Sequence, residues 1–181
     1  MITVPKHVIN AFLLGALSPC LVLGQAGARW IANQGSLPAG ATMVNNLAVC
    51  RAGYQNGIHP GSVQQNGCMI TWGGQAVLIP QYDVLVAQGN WAAPKPGFTG
   101  AFPAGSENSG ALYLCRAMVG GTTVPGKVVS GACNVAYQGQ ERAVKKFDVF
   151  YQLNLRELRE LADQQKAQSN SSSQPGLRQG K

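Results

Sequence analysis

Short apolar runs separated by turn residues fill most of the chain between residues 30 and 152. They include residues 47–49, 68–72, 77–79, 82–86 and 112–114. The run that ends at Trp72 is followed by Gly73-Gly74, which is a turn signal, and Pro80 marks an edge or a break between the next two runs. Runs this short and this regularly punctuated are typical of antiparallel hairpins in a sandwich or a barrel.

The whole pattern occurs twice. Residues 50–85 match residues 115–150 without a gap, at an offset of 65 positions. Both copies contain a Cys-Arg-Ala triplet, a Pro-Gly pair, a second cysteine and an Asp-Val pair at the same places. We therefore divide this part of the chain into repeat one, residues 29–88, and repeat two, residues 89–152. Because one repeat is small for an independent core, we expect the two repeats to pack about a pseudo-twofold axis.

The N-terminal segment has a different composition. Residues 8–24 are mostly apolar, and small residues follow them. This pattern predicts an export signal over residues 1–28 that is cleaved after Ala26 or Ala28. A buried N-terminal helix is the alternative, and Pro19 argues against it.

The pattern also changes after residue 152. Asn154 followed by Glu157 is typical of a helix N-cap with its capping-box partner, and leucines recur behind it at helical spacing. We therefore predict an amphipathic helix over residues 153–168. Residues 169–181 are rich in Ser, Gln, Gly and Asn, which predicts a disordered tail. The predicted fold is all-β, with two pseudo-twofold-related repeats in one antiparallel sandwich or barrel-like domain and a short C-terminal helix.

Composition narrows the classes of function. Charged residues make up only 12 % of the chain and glycine contributes 23 of the 181 residues, which suits short strands and tight turns better than helices. The net charge of +7 is spread out and is not interleaved with aromatic residues, so we expect no nucleic-acid partner. Beyond the signal, no segment is long and apolar enough to span a membrane, so we expect no membrane span.

The cysteines of the repeats are placed identically in the two copies, 18 positions apart in each. They are Cys50, Cys68, Cys115 and Cys133. In an oxidising compartment this even number favours disulfides, with Cys50–Cys68 and Cys115–Cys133 the simplest of three connectivities. Reduced cysteines buried in the core are the alternative. The spacing is too wide for a typical zinc site.

An arginine and an aspartate also recur together, as Arg51 with Asp83 and as Arg116 with Asp148. We predict that each is a structural ion pair between two strands. The alternative is that the two aspartates meet across the pseudo-twofold axis as the acid and base of a glycosidase.

His59 is the only histidine left once the predicted signal is removed. A metal cluster or a Ser-His-Asp triad therefore lacks residues, and we expect no enzyme, no metal and no cofactor. Since Pro60 follows it, we predict that His59 shapes a loop, with a ligand contact as the alternative.

Several of these motifs together resemble the DM-nine repeat family. In repeat two they are Leu-Tyr-Leu-Cys-Arg-Ala, Val-Pro-Gly-Lys-Val-Val and an aromatic-acid-Val run, and repeat one carries a similar set. The resemblance covers about residues 30–151. It implies a β-rich tandem-repeat fold and, in some members, a mannose-binding lectin. Family members often pair, so the resemblance also suggests a homodimer.

In sugar-binding members an acidic residue ahead of the Leu-Tyr strand and the lysine after Pro-Gly hold the ligand hydroxyls. Carried over to this chain, these residues are Glu107 and Lys127 of repeat two. Repeat one departs from the pattern, because Ser62 replaces the lysine and residues 42–46 contain no acid. The resemblance therefore places a glycan site on repeat two and leaves repeat one altered or silent, with Ser62 as its candidate ligand residue.

The sequence thus predicts a secreted or periplasmic carbohydrate-recognition module, with a glycan or glycoconjugate as partner and without catalysis. The alternative is a structural or protein-interaction module that associates with itself and binds no sugar. A hydrolase would need two carboxylates that converge in a cleft.

Overall fold

The computed structural model describes residues 27–33, 35–108 and 110–172. The predicted signal up to residue 26 and the predicted tail from residue 173 lie outside the described residues. The strands of repeat one are β1 (Arg29–Asn33), β2 (Met43–Val44), β3 (Leu47–Tyr54), β4 (Gly57–Gln64), β5 (Gly67–Trp72), β6 (Gln75–Ile79) and β7 (Tyr82–Val86). Those of repeat two are β8 (Gly89–Ala92), β9 (Pro103–Glu107), β10 (Gly110–Val119), β11 (Thr122–Val129), β12 (Ala132–Tyr137), β13 (Gln140–Val144) and β14 (Phe147–Gln152). A single helix, α1 (Leu155–Ser172), follows them in the described chain.

The strand order is the same from either end. It runs β1-β7-β3-β4-β5-β6-β13-β12-β11-β10-β14-β8, so each strand of repeat one in this order has its counterpart in repeat two at the mirrored place, while β2 and β9 lie off this path. In this strand order the repeats join where Gln75 of β6 pairs with Gln140 of β13, residues that are themselves 65 positions apart. The predicted all-β fold is confirmed as an antiparallel barrel built on a pseudo-twofold axis.

The core has one layer in each repeat and one layer between them. The layers within the repeats surround the disulfides, at Cys50 in repeat one and at Cys115 in repeat two. The layer between the repeats contains Val49 together with its equivalent Leu114, and Leu85 together with its equivalent Phe150. Fully burying an apolar side chain of this size contributes roughly 1.5–3 kcal/mol. The shared layer therefore ties the repeats into one domain.

The predicted disulfides are confirmed. Cys50 bonds Cys68 and Cys115 bonds Cys133, each across Cα atoms 5.8 Å apart. Each bond joins the two strands that flank a central strand, and Gly61 is the residue of the central strand β4 that pairs with Cys50. A Cβ on Gly61 would collide with the backbone of Met69 in β5, so only glycine fits there.

His59 does not shape a loop, and this prediction is wrong. His59 and Pro60 lie inside β4, and residues 57–62 of this strand pair with β3. The ladder between β4 and β5 begins only at Ser62. Pro60 therefore needs no N–H toward β5, and a proline is tolerated in a strand at such a position.

The predicted N-cap of α1 is confirmed. The Asn154 side chain accepts hydrogen bonds from the backbone N–H groups of Arg156 and Glu157, and the Glu157 carboxylate accepts one from the N–H of Asn154. The helix runs to Ser172, four residues into the segment predicted to be disordered, because Ser and Asn cost a helix only a few tenths of a kcal/mol each. In the part of the chain that the structure describes, no helix is long and apolar enough to cross a membrane.

Candidate functional site

Side chains from both repeats meet in one largely buried polar cluster. Lys127 of β11 places its Nζ 2.7 Å from Oε1 of Glu107, at the end of β9. The same Nζ lies 3.0 Å from Nδ1 of His59 in β4. We call Glu107, Lys127 and His59 the Lys127 cluster. Of the four predicted ligand residues, the structure brings together these three and leaves Ser62 outside the cluster.

The topology brings the cluster together. Strand β9 pairs with β10 of its own repeat and, at Ser106, with Ile58 of β4 in the other repeat. This bridge sets Glu107 beside the start of β4, and β11 lies against β4 as well. Gly105 allows the approach, because a Cβ there would collide with the carbonyl of Ile58. The site therefore exists only once the two repeats have docked.

Lys127 is the cation of the cluster, and only 3 % of its surface is exposed. A buried ammonium is costly unless it is paired and hydrogen-bonded. Glu107 supplies the opposite charge and His59 a second acceptor, and Nζ also lies 5.5 Å from the centre of the Trp72 ring. A cation over an indole face at this distance is attracted to the ring. Lys127 is thus held from three sides.

His59 is completely buried, and both of its ring nitrogens are engaged. Its Nε2 lies 2.9 Å from the backbone carbonyl oxygen of Tyr54, which can only accept, so Nε2 carries the proton. Its Nδ1 therefore accepts from the ammonium of Lys127. Burial above all lowers the pKa of His59 from its usual 6.5, and the Lys127 charge lowers it further, while the Tyr54 carbonyl and Glu107 act in the opposite direction. His59 is therefore neutral at pH 7.

Glu107 connects the cluster with solvent. Its side chain is 22 % exposed, against 4 % for Lys127 and none for His59. Among the described residues its Oε1 contacts both Lys127 and His59, and its Oε2 has no hydrogen-bond partner there. An open carboxylate oxygen beside a buried ammonium offers an acceptor and a donor side by side.

Two aromatic side chains of repeat one complete the surroundings. The Trp72 ring meets the His59 ring edge to face, with centres 5.1 Å apart, and Tyr54 meets Trp72 in the same way at 6.1 Å. Both aromatic residues are partly exposed. Neither residue was predicted as part of the site, because Trp72 stood out only as the aromatic end of an apolar run and no sequence signal marked Tyr54.

The pseudo-twofold axis generates a second position that is equivalent to the Lys127 cluster. There, residues without charge replace the three members: Thr42 replaces Glu107, Ser62 replaces Lys127 and Val124 replaces His59. Tyr137 replaces the neighbouring Trp72. Ser62 is fully buried and accepts a hydrogen bond from Gln64, while the Thr42 hydroxyl bonds the backbone of Ala87. The charged cluster is therefore present at one of the two equivalent positions.

The recurring arginine and aspartate lie directly opposite one another on paired strands. Arg51 of β3 bonds Asp83 of β7 at 3.0 Å, and Arg116 of β10 bonds Asp148 of β14 at 3.0 Å. Each guanidinium also lies over a tryptophan of its own repeat, at 4.4 Å and 5.0 Å from the ring centre. These pairs are roughly one third exposed, where an ion pair contributes about 0–1 kcal/mol. Each aspartate is thus engaged by its own arginine.

The described residues contain no group of three or more His, Cys, Asp or Glu side chains that could hold a metal ion.

Comparison with known proteins gives one family match. The family model described as DM9 repeat matches residues 41–144 and residues 106–167. The two matches begin 65 positions apart, which is the offset of the internal repeat. No curated protein matches the chain.

Proposed function

The chain belongs to the DM9 repeat family, and from this premise we propose that it is a non-catalytic, lectin-like module that binds carbohydrate at the Lys127 cluster. Mannose is the sugar that the family resemblance suggests. The family match is compatible with such a module, and the geometry of the cluster supports placing the site there.

The observation that carries the proposal is the pairing of an open carboxylate with a buried ammonium. The Oε2 atom of Glu107 can accept from one sugar hydroxyl, and the third N–H of Lys127, which has no hydrogen-bond partner among the described residues, can donate to its neighbour. Each charge-assisted hydrogen bond contributes about 1.5–3 kcal/mol before desolvation. Vicinal hydroxyls of a sugar fit such a donor and acceptor pair, and Trp72 supplies an apolar surface for the ring.

The disulfides support an exported protein. Disulfide bonds persist in oxidising compartments such as the periplasm or the extracellular space. Together with the predicted signal over residues 1–28, they are the basis for proposing that the module is secreted or periplasmic and meets glycans outside the cytoplasm.

A glycan array with the full chain, expressed through an export pathway so that the disulfides form, tests the proposal. We expect binding to a defined group of glycans, mannose-bearing ones among them, and at least a tenfold loss of affinity in Glu107→Gln and in Lys127→Met. Glu141→Gln is the matched control, because Glu141 also accepts hydrogen bonds from protein groups but lies outside the Lys127 cluster.

The array has two outcomes that would contradict the proposal. If no glycan binds, the chain is not a lectin, and sedimentation analysis should then be used to look for self-association. If both cluster variants bind as the parent does, the glycan site lies elsewhere on the surface. Thermal melts of all variants separate loss of binding from loss of folding.

A further inference from the structure

His59 differs from the other two members of the Lys127 cluster because it is held rigidly. Its surface is completely buried, its Nε2–H is bonded to the Tyr54 carbonyl, and its ring packs against Trp72. Glu107 is partly exposed, and a lysine side chain has four flexible carbons, so neither of them fixes the other in space. Of the two acceptors that Lys127 contacts, His59 is therefore the anchored one.

We propose that His59 is a positioning residue: its neutral ring holds the Lys127 ammonium at the place where a glycan hydroxyl meets it, and protonation of the ring in mild acid releases the glycan. This inference deepens the proposed function and rests on it. It assigns the ligand contacts to Glu107 and Lys127, and His59 acts through Lys127.

Protonation changes the hydrogen bonds around the ring in a defined way. The added proton goes to Nδ1, which then stops accepting from Lys127 and carries a positive charge 3.0 Å from its ammonium. Oε1 of Glu107 also lies 3.0 Å from Nδ1 and accepts the new N–H. The ammonium of Lys127 therefore loses its rigid acceptor and has to share the Glu107 carboxylate with the charged imidazole.

The charged groups facing His59 are Glu107 of β9 and Lys127 of β11. Strand β3 contributes the neutral Tyr54 carbonyl, and β5 contributes the Trp72 ring, which is also uncharged. Since the folded protein lowers the pKa of His59 below 6.5, chiefly through burial, the unfolded chain takes up this proton more readily. Stability that depends on the neutral ring is thus fully present above about pH 6.5 and is lost as the pH falls below it.

The second equivalent position is consistent with this pairing. Ser62 replaces the lysine there and Val124 replaces the histidine. The imidazole is therefore absent from the same position that lacks the ammonium. A histidine needed only to fill space in β4 would have no reason to coincide with the charged position.

Nuclear magnetic resonance of the full chain tests the holding of Lys127 without any glycan. The ¹⁵N shifts should identify the tautomer protonated at Nε2, and the signal is assigned by its loss in His59→Gln, since His7 is the only other histidine. Lys127→Met should raise the pKa of His59 because a positive neighbour is removed, and Glu107→Gln should lower it. A tautomer protonated at Nδ1, or a pKa that does not respond to Lys127→Met, would overturn the inference.

Binding to mannosylated albumin between pH 5 and pH 7.5 tests the release. We expect affinity to fall by up to about tenfold per pH unit below the pKa of His59. His59→Gln, whose amide oxygen can still accept from Lys127, should bind at neutral pH and lose the acid dependence. His59→Val, which takes the residue found at the equivalent position 124, should bind at least about tenfold more weakly at every pH, because it leaves a buried donor unpaired.

The two proposals fail in distinguishable ways. No binding at any pH overturns the proposed function and glycan release with it, while the resonance experiment still decides whether His59 holds Lys127. Binding that ignores pH and survives His59→Val overturns the inference and leaves the lectin function intact. Thermal melts at each pH show whether a weakly binding variant is folded.

Discussion

The ion pair at the centre of the Lys127 cluster should cost the protein stability when either charge is removed alone. Lys127→Met removes the ammonium, and Glu107→Leu removes the carboxylate without offering another acceptor. The Lys127 side chain is 4 % exposed and the Glu107 side chain is 22 % exposed, so a charge left without its partner has different access to water in the two variants. A Glu107 left alone can turn toward water, whereas a Lys127 left alone stays buried.

The size of the effect follows from the geometry. Two unit charges 2.7 Å apart attract by about 6 kcal/mol at an effective dielectric constant of about 20. Water at Glu107 screens part of this energy, and desolvation of Lys127 offsets more of it. We therefore expect a coupling free energy of about 2–3 kcal/mol. Glu107→Leu alone should destabilise by about 3–5 kcal/mol, and Lys127→Met alone by less.

A double-mutant cycle measured by urea unfolding, at one pH near 7 and with the disulfides intact, gives this number. The double variant Glu107→Leu/Lys127→Met should be more stable than the sum of the single effects predicts, by this coupling of about 2–3 kcal/mol. Additive effects within about 0.5 kcal/mol would refute the reasoning, as would a larger loss from Lys127→Met than from Glu107→Leu. A matching cycle on Arg51 and Asp83, a pair that is about one third exposed, should give less than about 1 kcal/mol.

Two further predictions concern the strands and the repeats. Gly126→Ala should destabilise by about 2–3 kcal/mol in the same assay, because a Cβ there would collide with the Asn134 carbonyl. Gly53→Ala should be tolerated, because a Cβ there would have no atom nearer than 4.0 Å. Equal effects of the two substitutions would contradict this account of the close approach. Titration calorimetry with a glycan found to bind should give one site per chain. The reason is that the second equivalent position, with Thr42, Ser62 and Val124, carries no charges. A stoichiometry of two would contradict this prediction.

The sequence identified the predicted ligand residues one by one but not the contact between His59 of repeat one and Lys127 of repeat two. Glu107 and Lys127 came from a resemblance that treats each repeat by itself, and within repeat two they are 20 positions apart. His59 belongs to the other repeat, 68 positions from Lys127, and its place before Pro60 suggested a loop, with a ligand contact as the alternative. The contact between His59 and Lys127 depends on how β11 lies against β4, and no local pattern in either strand carries that information.

For Ser62, the sequence showed its equivalent position in the repeat but did not show its surroundings in the folded chain. Alignment of the repeats correctly identified it as the equivalent of Lys127, and this led to its prediction as a ligand residue. In the folded chain its hydroxyl is buried and bonded to Gln64, outside the Lys127 cluster. Equivalence within a repeat gives the position of a residue, whereas its surroundings come from the opposite repeat.

The sequence by itself determined much of what depends on short distances along the chain or on repetition: the strand and turn pattern, the doubling at 65 positions and the cap at Asn154. It favoured the pairing of Cys50 with Cys68 as the simplest of three connectivities, and the structure decided for that pairing. These features could be predicted because turn chemistry, helix capping and closure of a short loop act between residues that are near in sequence. Only the tertiary structure decided which side chains of the two repeats share a space. Burial of a charge depends on every strand around it, and the Lys127 cluster draws on β4, β5, β9 and β11 at once.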